Sequence, residues 1–320
     1  MGLVFAALCV LTSAFFAPVA RFTTERLDPL FVAAATTFLA GLAALVVLGA
    51  RGRLGPLLRG PNVAGFIALG LLGTVVPNLC FFLGTGRTSA LDAIFCLQVE
   101  PAYSLVLAWA VLGHRLTLRR VASVVVIMLG IALAIGNGES TGDPIGLGLL
   151  LLTPLAWQIS HLVALKRLRG VEPELLTGAR YVWGGLVLVP VAFALGHLEG
   201  RASILPSAQA AGGLLPVLVF QGVVLSYLGT QFWYKAISRL DLARATSIVV
   251  PSIPLVSFVA SYPIVGEIPS LGQLVGVLVA TAGVLSFVFA PHAVEVLERI
   301  PSPAAPLAAP AEDEAGGDVA

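Results

Sequence analysis

Glu100 stands inside an apolar run from about residue 90 to residue 112, immediately before Pro101. At the centre of a bilayer an ionised carboxylate costs about 2.5–3.5 kcal/mol even on insertion scales, so it is expected to face a bundle interior or water. Pro101 has no amide to donate and frees a carbonyl one turn back, which favours a local kink. Tyr103 and Ser104 follow at i+3 and i+4 and extend a polar stripe along one helical face. Two roles fit this group. It can be the site of a substrate ammonium or an exchanging proton, or a neutral acid bonded to a neighbouring helix that holds the kink in place.

Other polar residues recur at helical spacing inside apolar runs. Thr74, Asn78, Phe81 and Thr85 share one face, and so do Tyr227, Gln231 and Tyr234. A face that is half polar and half aromatic suits a small amphipathic solute. Taken singly, each residue could instead make an interhelical hydrogen bond, worth about 0.6 kcal/mol in membranes; taken together, the two faces are expected to line a pathway. Trp157, Gln158 and His161 form a third group, with His161 either a proton-relay member or an interfacial residue. Arg180 could hold an anion or snorkel to the cytoplasmic surface. Gly184, Gly185, Gly222, Gly229 and Gly276 are assigned to close helix packing.

The elements that position these residues follow from composition. Hydrophobic residues make up 58% of the chain, charged residues 11%, and mean hydropathy is +0.98. A soluble domain could not hide that much apolar surface. A span needs roughly 20 mostly apolar residues. That length gives ten, over about 3–20, 29–49, 63–83, 90–112, 120–136, 145–165, 175–196, 213–234, 242–265 and 271–290. The first lacks a basic leader and a small-x-small cleavage site, so it reads as a retained span rather than a signal peptide. Cys9, Cys80 and Cys96 lie in apolar runs and read as small buried hydrophobes. The basic residues are dispersed among loops, so no nucleic-acid partner is expected.

Two stretches repeat one pattern. Glu100-Pro101, Gly113-His114 and Gly130 match Ile253-Pro254, Gly266-Glu267 and Gly283 at identical spacing, and Pro29 to Thr36 matches Pro173 to Arg180. The first connection continues into Arg119 and Arg120, whereas the second carries Glu267 and no base. Short cytoplasmic loops collect Lys and Arg. With both termini cytoplasmic, the inner connections hold Arg51, Arg53 and Arg59, then Arg115, Arg119 and Arg120, then Lys166, Arg167 and Arg169, then Lys235, Arg239 and Arg244. The outer ones hold only Arg21, Arg26, Arg87 and Arg201. Five spans per half, an odd number, also place the second half upside down. The expected fold is an all-α polytopic membrane protein of ten transmembrane helices in two inverted five-helix repeats, residues 1–137 and 145–290. Inverted repeats of this kind are typical of small-molecule transporters.

The sequence resembles the EamA-type members of the drug/metabolite transporter superfamily. The likeness rests on Phe81-Phe82, Leu97-Gln98-Val99-Glu100-Pro101, Leu112-Gly113-His114-Arg115-Leu116-Thr117 and Leu129-Gly130. In the second half it rests on Phe232-Trp233-Tyr234-Lys235-Ala236-Ile237, Val250-Pro251 through Pro254, Val265-Gly266-Glu267 and Ala282-Gly283. It covers about residues 1–290. The resemblance implies two inverted repeats around a central cavity, lined by the first, third, fourth, sixth, eighth and ninth helices. It also implies small substrates such as amino acids and their derivatives, with export common. The chain departs from the family pattern at Ser13-Ala14, Thr36 and Gly113-His114.

The expected function is a secondary transporter of the inner membrane, an exporter of small organic metabolites working by alternating access. No Gly-Lys-Ser/Thr nucleotide loop occurs, so an ion gradient, exchange or the solute's own gradient must drive it. No enzymatic activity, cofactor or metal is expected; the rivals are an intramembrane lipid-modifying enzyme and a non-transporting sensor or scaffold. Expected partners are the bilayer, a small-molecule substrate and, as an association left open, a homodimer mate. Residues 291–320, rich in Pro and Ala with Glu312-Asp313-Glu314 near the end, are expected to form a disordered cytoplasmic tail. Truncation after Glu298 should leave membrane level and transport unchanged. Normal membrane level with lost transport would give the tail a role.

Overall fold

The computed structural model describes residues 1–112, 116–136, 143–201, 203–240 and 242–289. Gly113-His114-Arg115, the 137–142 connection and the 291–320 tail lie outside the described residues. The protein is all-α, with ten helices long and apolar enough to span a membrane. They run Gly2–Thr24, Pro29–Ala50, Val63–Thr85, Ala90–Val111, Leu118–Gly136, Pro144–Ala164, Pro173–Leu198, Ala208–Ala236, Ile248–Val265 and Leu271–Val288. The expected spans match these within a few residues. The eighth starts earlier than expected because Ser207 caps it by accepting from the Ala210 amide at 3.2 Å.

Cap chemistry sets several other starts. Asp28 accepts from Leu30 N at 2.8 Å ahead of Pro29, and Asp143 accepts from Ile145 N at 2.9 Å ahead of Pro144. Proline at the first helical position gives up only an amide that would be unpaired anyway. Ser89 with Asp92, and Ser270 with Gln273, form capping boxes at the fourth and tenth spans.

The halves pack against each other rather than side by side. The fifth span lies along the tenth and the second along the seventh, while the first packs on the eighth and ninth as the sixth packs on the third and fourth. Exchanging the halves therefore maps the contacts onto themselves. Glycine permits the closest approaches. A Cβ on Gly41 would lie 2.8 Å from Tyr181 O, and one on Gly70 2.8 Å from Gly184 N. Ion pairs Arg51–Glu174, Arg53–Glu172, Arg201–Asp28 and Arg87–Asp143 tie the two halves at the helix ends. The Arg87 guanidinium holds Asp143 below the usual carboxylate range. Exposed pairs of this kind contribute about 0–1 kcal/mol each, so apolar packing carries the assembly. Phe38, Leu42, Val46, Val259 and Leu278 are exposed on the outside, as a lipid-facing surface requires.

Candidate functional site

Three spans depart from regular α-helix, and the site is built on those departures. The fourth is interrupted. It runs as helix over Ala90–Leu97, turns at Gln98–Val99 and resumes as Glu100–Leu112. Gln98 N and Val99 N reach back only three residues, to Phe95 O at 3.0 Å and Cys96 O at 3.3 Å. Pro101 has no N–H for Leu97 O, which accounts for the break. The third span holds a π-helical stretch at Leu71–Val75, and the eighth holds one at Phe220–Leu228. Each lies at the corresponding place in its half, and π segments widen a helix and collect at functional sites.

Glu100 opens the second part of the broken span. Its Oε1 accepts a hydrogen bond from Gln158 Nε2 of the sixth span at 2.6 Å. The pair joins the first half of the chain to the second. Gln158 is one turn from His161, which lies within the electrostatic field of Arg180 on the seventh span. Arg180 does not extend toward a helix end. Its Nη2 donates to Gly73 O in the π stretch of the third span. Pro77 supplies no i+4 amide to that carbonyl. Ser160 completes the corner, since a Cβ on Gly73 would sit 3.0 Å from Arg180 Nε and 3.1 Å from Ser160 Oγ.

The remaining candidates are distributed. Asn78 Nδ2 donates to Thr37 Oγ1 of the second span at 2.8 Å. Thr85 is buried and donates to Phe81 O of its own helix at 2.7 Å. Tyr103 packs on the cluster of Val99, Ile127, Ile131 and Val284. Ser104 is partly buried on the same segment. Tyr227 is buried edge-on to Tyr181, with ring centroids 6.4 Å apart. Gln231 is buried with its Nε2 unpaired, and Tyr234 is partly buried near Tyr181. The structure thus joins Glu100 to Gln158, sets His161 beside Arg180 one turn further along the sixth span, and places Tyr103 and Thr85 in packing contacts. A π turn advances about one residue against the α repeat, so residues on either side of Val75 or Leu228 no longer share one face.

Tyr181, Ser160 and Gly73 are additions to the residues singled out by spacing. Tyr181 Oη reaches Ser226 O and Thr230 Oγ1, each at 3.0 Å. Tyr181 follows Arg180 and Ser160 lies between Gln158 and His161, but neither falls on the faces that spacing picks out, and Gly73 carries no polar group at all. Pro77, four residues after Gly73, is the one local clue.

At the far end of the fourth span, Glu267 caps its first turn. Oε1 accepts from Ala90 N at 2.9 Å and Oε2 from Leu91 N at 3.0 Å. Burial pushes this carboxyl up, and the two amides pull it part of the way back. Among the described residues no cluster of His, Cys, Asp and Glu is placed to hold a metal.

Comparison with known proteins gives a consistent picture. The EamA-like transporter family matches residues 1–136 and again 144–289. A protein of Archaeoglobus fulgidus described as an uncharacterized transporter is 24% identical over 262 residues, covering 80% of this chain and 87% of its own. One of Bacillus subtilis, also described as an uncharacterized transporter, is 23% identical over 70% of this chain and 73% of its own. A Streptantibioticus cattleyicolor protein named "Probable terminal-alkyne amino-acid exporter" is 26% identical over 63% of this chain and 65% of its own. A solved crystal structure covers 93% of this chain and 99% of its own with a TM-score of 0.59 at 18% identity, a likeness of fold alone.

Proposed function

The chain belongs to the EamA-like transporter family, and on that premise we propose that it exports small organic metabolites, such as amino acids or their derivatives, by alternating access. The two repeats, 1–137 and 145–290, rock about a site near the membrane midplane. The protein resides in the inner membrane with both termini cytoplasmic. The relatives named as transporters, one of them an amino-acid exporter, support this reading. The observation that carries it is the Glu100–Gln158 bond, which places an intramembrane carboxylate at a helix break between the two halves. A bond between halves that must separate and rejoin is a natural point for solute or proton exchange. Among the described residues no cation pairs with Glu100. A solute ammonium or a proton can fill that role.

A resistance screen of overexpressing against deleted cells would select solutes, and purified protein in liposomes should then release the labelled solute. Liposomes in which no solute from the screen crosses faster than in protein-free controls would contradict the reading. Orientation has its own test. A cysteine at Ser270 should react with an impermeant thiol reagent added outside, and one at Thr117 should not. Labelling at Thr117 alone would reverse the side of every residue above.

A further inference from the structure

The exchange of halves pairs Thr36 on the second span with Arg180 on the seventh, since each lies seven residues after the proline that opens its helix. Both lie against the third residue of the opposite half's π stretch, Thr36 through its backbone and Arg180 through its side chain. A Cβ on Gly222, third residue of the eighth span's π stretch, would lie 2.5 Å from Thr36 O. One on Gly73, third residue of the other π stretch, would lie 3.0 Å from Arg180 Nε. One copy of this corner is built with a neutral threonine whose hydroxyl turns back to Val32 O at 2.7 Å. Packing the corner therefore needs no cation.

Arg180 has one local duty, the Gly73 carbonyl that Pro77 leaves without an i+4 amide. A neutral side-chain donor would do that work. The guanidinium brings a full charge and four further N–H groups, and its Nε is buried with no partner. Among the described residues no carboxylate pairs with it. The neighbours it does have, Ser160 and His161, offer no negative charge. An arginine at such depth is retained where it faces a partner or a pathway. Glu100 presents the complementary case, an acid held by the neutral amide of Gln158, which precedes His161 by one turn on the sixth span. A zwitterion would neutralise both groups at once.

We propose that Arg180 recognises the anionic end of the transported solute, a carboxylate that pairs with its guanidinium while the cationic end of the same solute meets Glu100. This rests on the transporter reading above and adds a residue and a charge requirement to it. Guanidinium and carboxylate match as a planar fork, so the charge-retaining Arg180→Lys should keep the preference for zwitterions at a reduced rate.

The test uses three labelled probes in proteoliposomes: leucine, a zwitterion; leucinamide, which lacks the carboxylate; and N-acetylleucine, which lacks the ammonium. Wild-type protein should release leucine and discriminate against both others. Arg180→Gln should slow leucine about tenfold or more, the usual effect of losing a hydrogen bond between charged groups, while leucinamide changes little. Arg180→Gln protein that is monodisperse and moves leucine at the wild-type rate would overturn the assignment. Wild-type release of leucinamide as fast as leucine would overturn it even if Arg180→Gln failed to fold, and would leave the transporter reading standing. Release of none of the three above protein-free liposomes would count against both.

Discussion

Glu100→Gln should reach the membrane at the wild-type level, fold normally and lose pH-dependent transport. The carboxamide keeps the shape of the side chain, and its oxygen can still accept from Gln158 Nε2, 2.6 Å away in the native protein. What it cannot do is ionise. If solute and proton exchange at this group, transport across an imposed pH gradient should fall about tenfold or more, the scale set by 1.4 kcal/mol per decade. Glu100→Ala should be worse. It leaves the Gln158 amide without its acceptor, a loss of about 1–3 kcal/mol for a buried donor, beside the break in the fourth span. Wild-type rate and an unchanged pH profile in the Glu100→Gln protein would make the carboxylate a structural pin of the Pro101 kink.

The second large effect is on folding. Gly130→Val should abolish recovery of monodisperse protein, whereas Gly136→Val on the same helix should not. A Cβ at position 130 would lie 2.4 Å from Ala280 N and 2.7 Å from Gly276 O, and one at 276 would lie 2.6 Å from Ala134 N. The obstructing atoms are backbone, so no rotamer change relieves them and the fifth and tenth spans must part. Overpacking in a close-packed interface costs about 1–3 kcal/mol and more where nothing can shift. At Gly136 no atom lies within 4 Å of the added carbon. Size-exclusion profiles of the two variants from matched membranes make the comparison. Equal recovery would mean that the fifth and tenth spans do not pack this closely.

These two variants also mark how far the sequence is legible. Gly276 is readable as a packing residue because small side chains inside apolar runs have few other uses, whereas Gly130 and Gly283 are readable only as matching positions of the repeat. The ten spans are readable because hydropathy and length nearly determine them. Glu100 stands out by its cost in lipid. Its partner does not: Gln158 is visible as a polar residue, but nothing local couples positions 58 residues apart. The same holds for Arg180 and Gly73, 107 residues apart. Spacing leaves Arg180 free to snorkel, and only the packing of the third, sixth and seventh spans directs it inward. The π stretches were illegible for a different reason. They change the register of a helix without changing its composition, so the straight polar faces drawn from Thr74 to Asn78, or from Tyr227 to Gln231, do not run straight in the fold.

The most direct test of the coupling role of Glu100 is the proton movement that accompanies solute movement. Wild-type and Glu100→Gln proteoliposomes would enclose a pH-sensitive dye and the solute that emerges from the resistance screen, with solute release and internal pH followed together. In the wild type each pulse of solute release should be matched by a pH change that vanishes with Glu100→Gln, even where residual solute release persists. A Glu100→Gln protein that still carries protons in the wild-type ratio to solute would contradict that role.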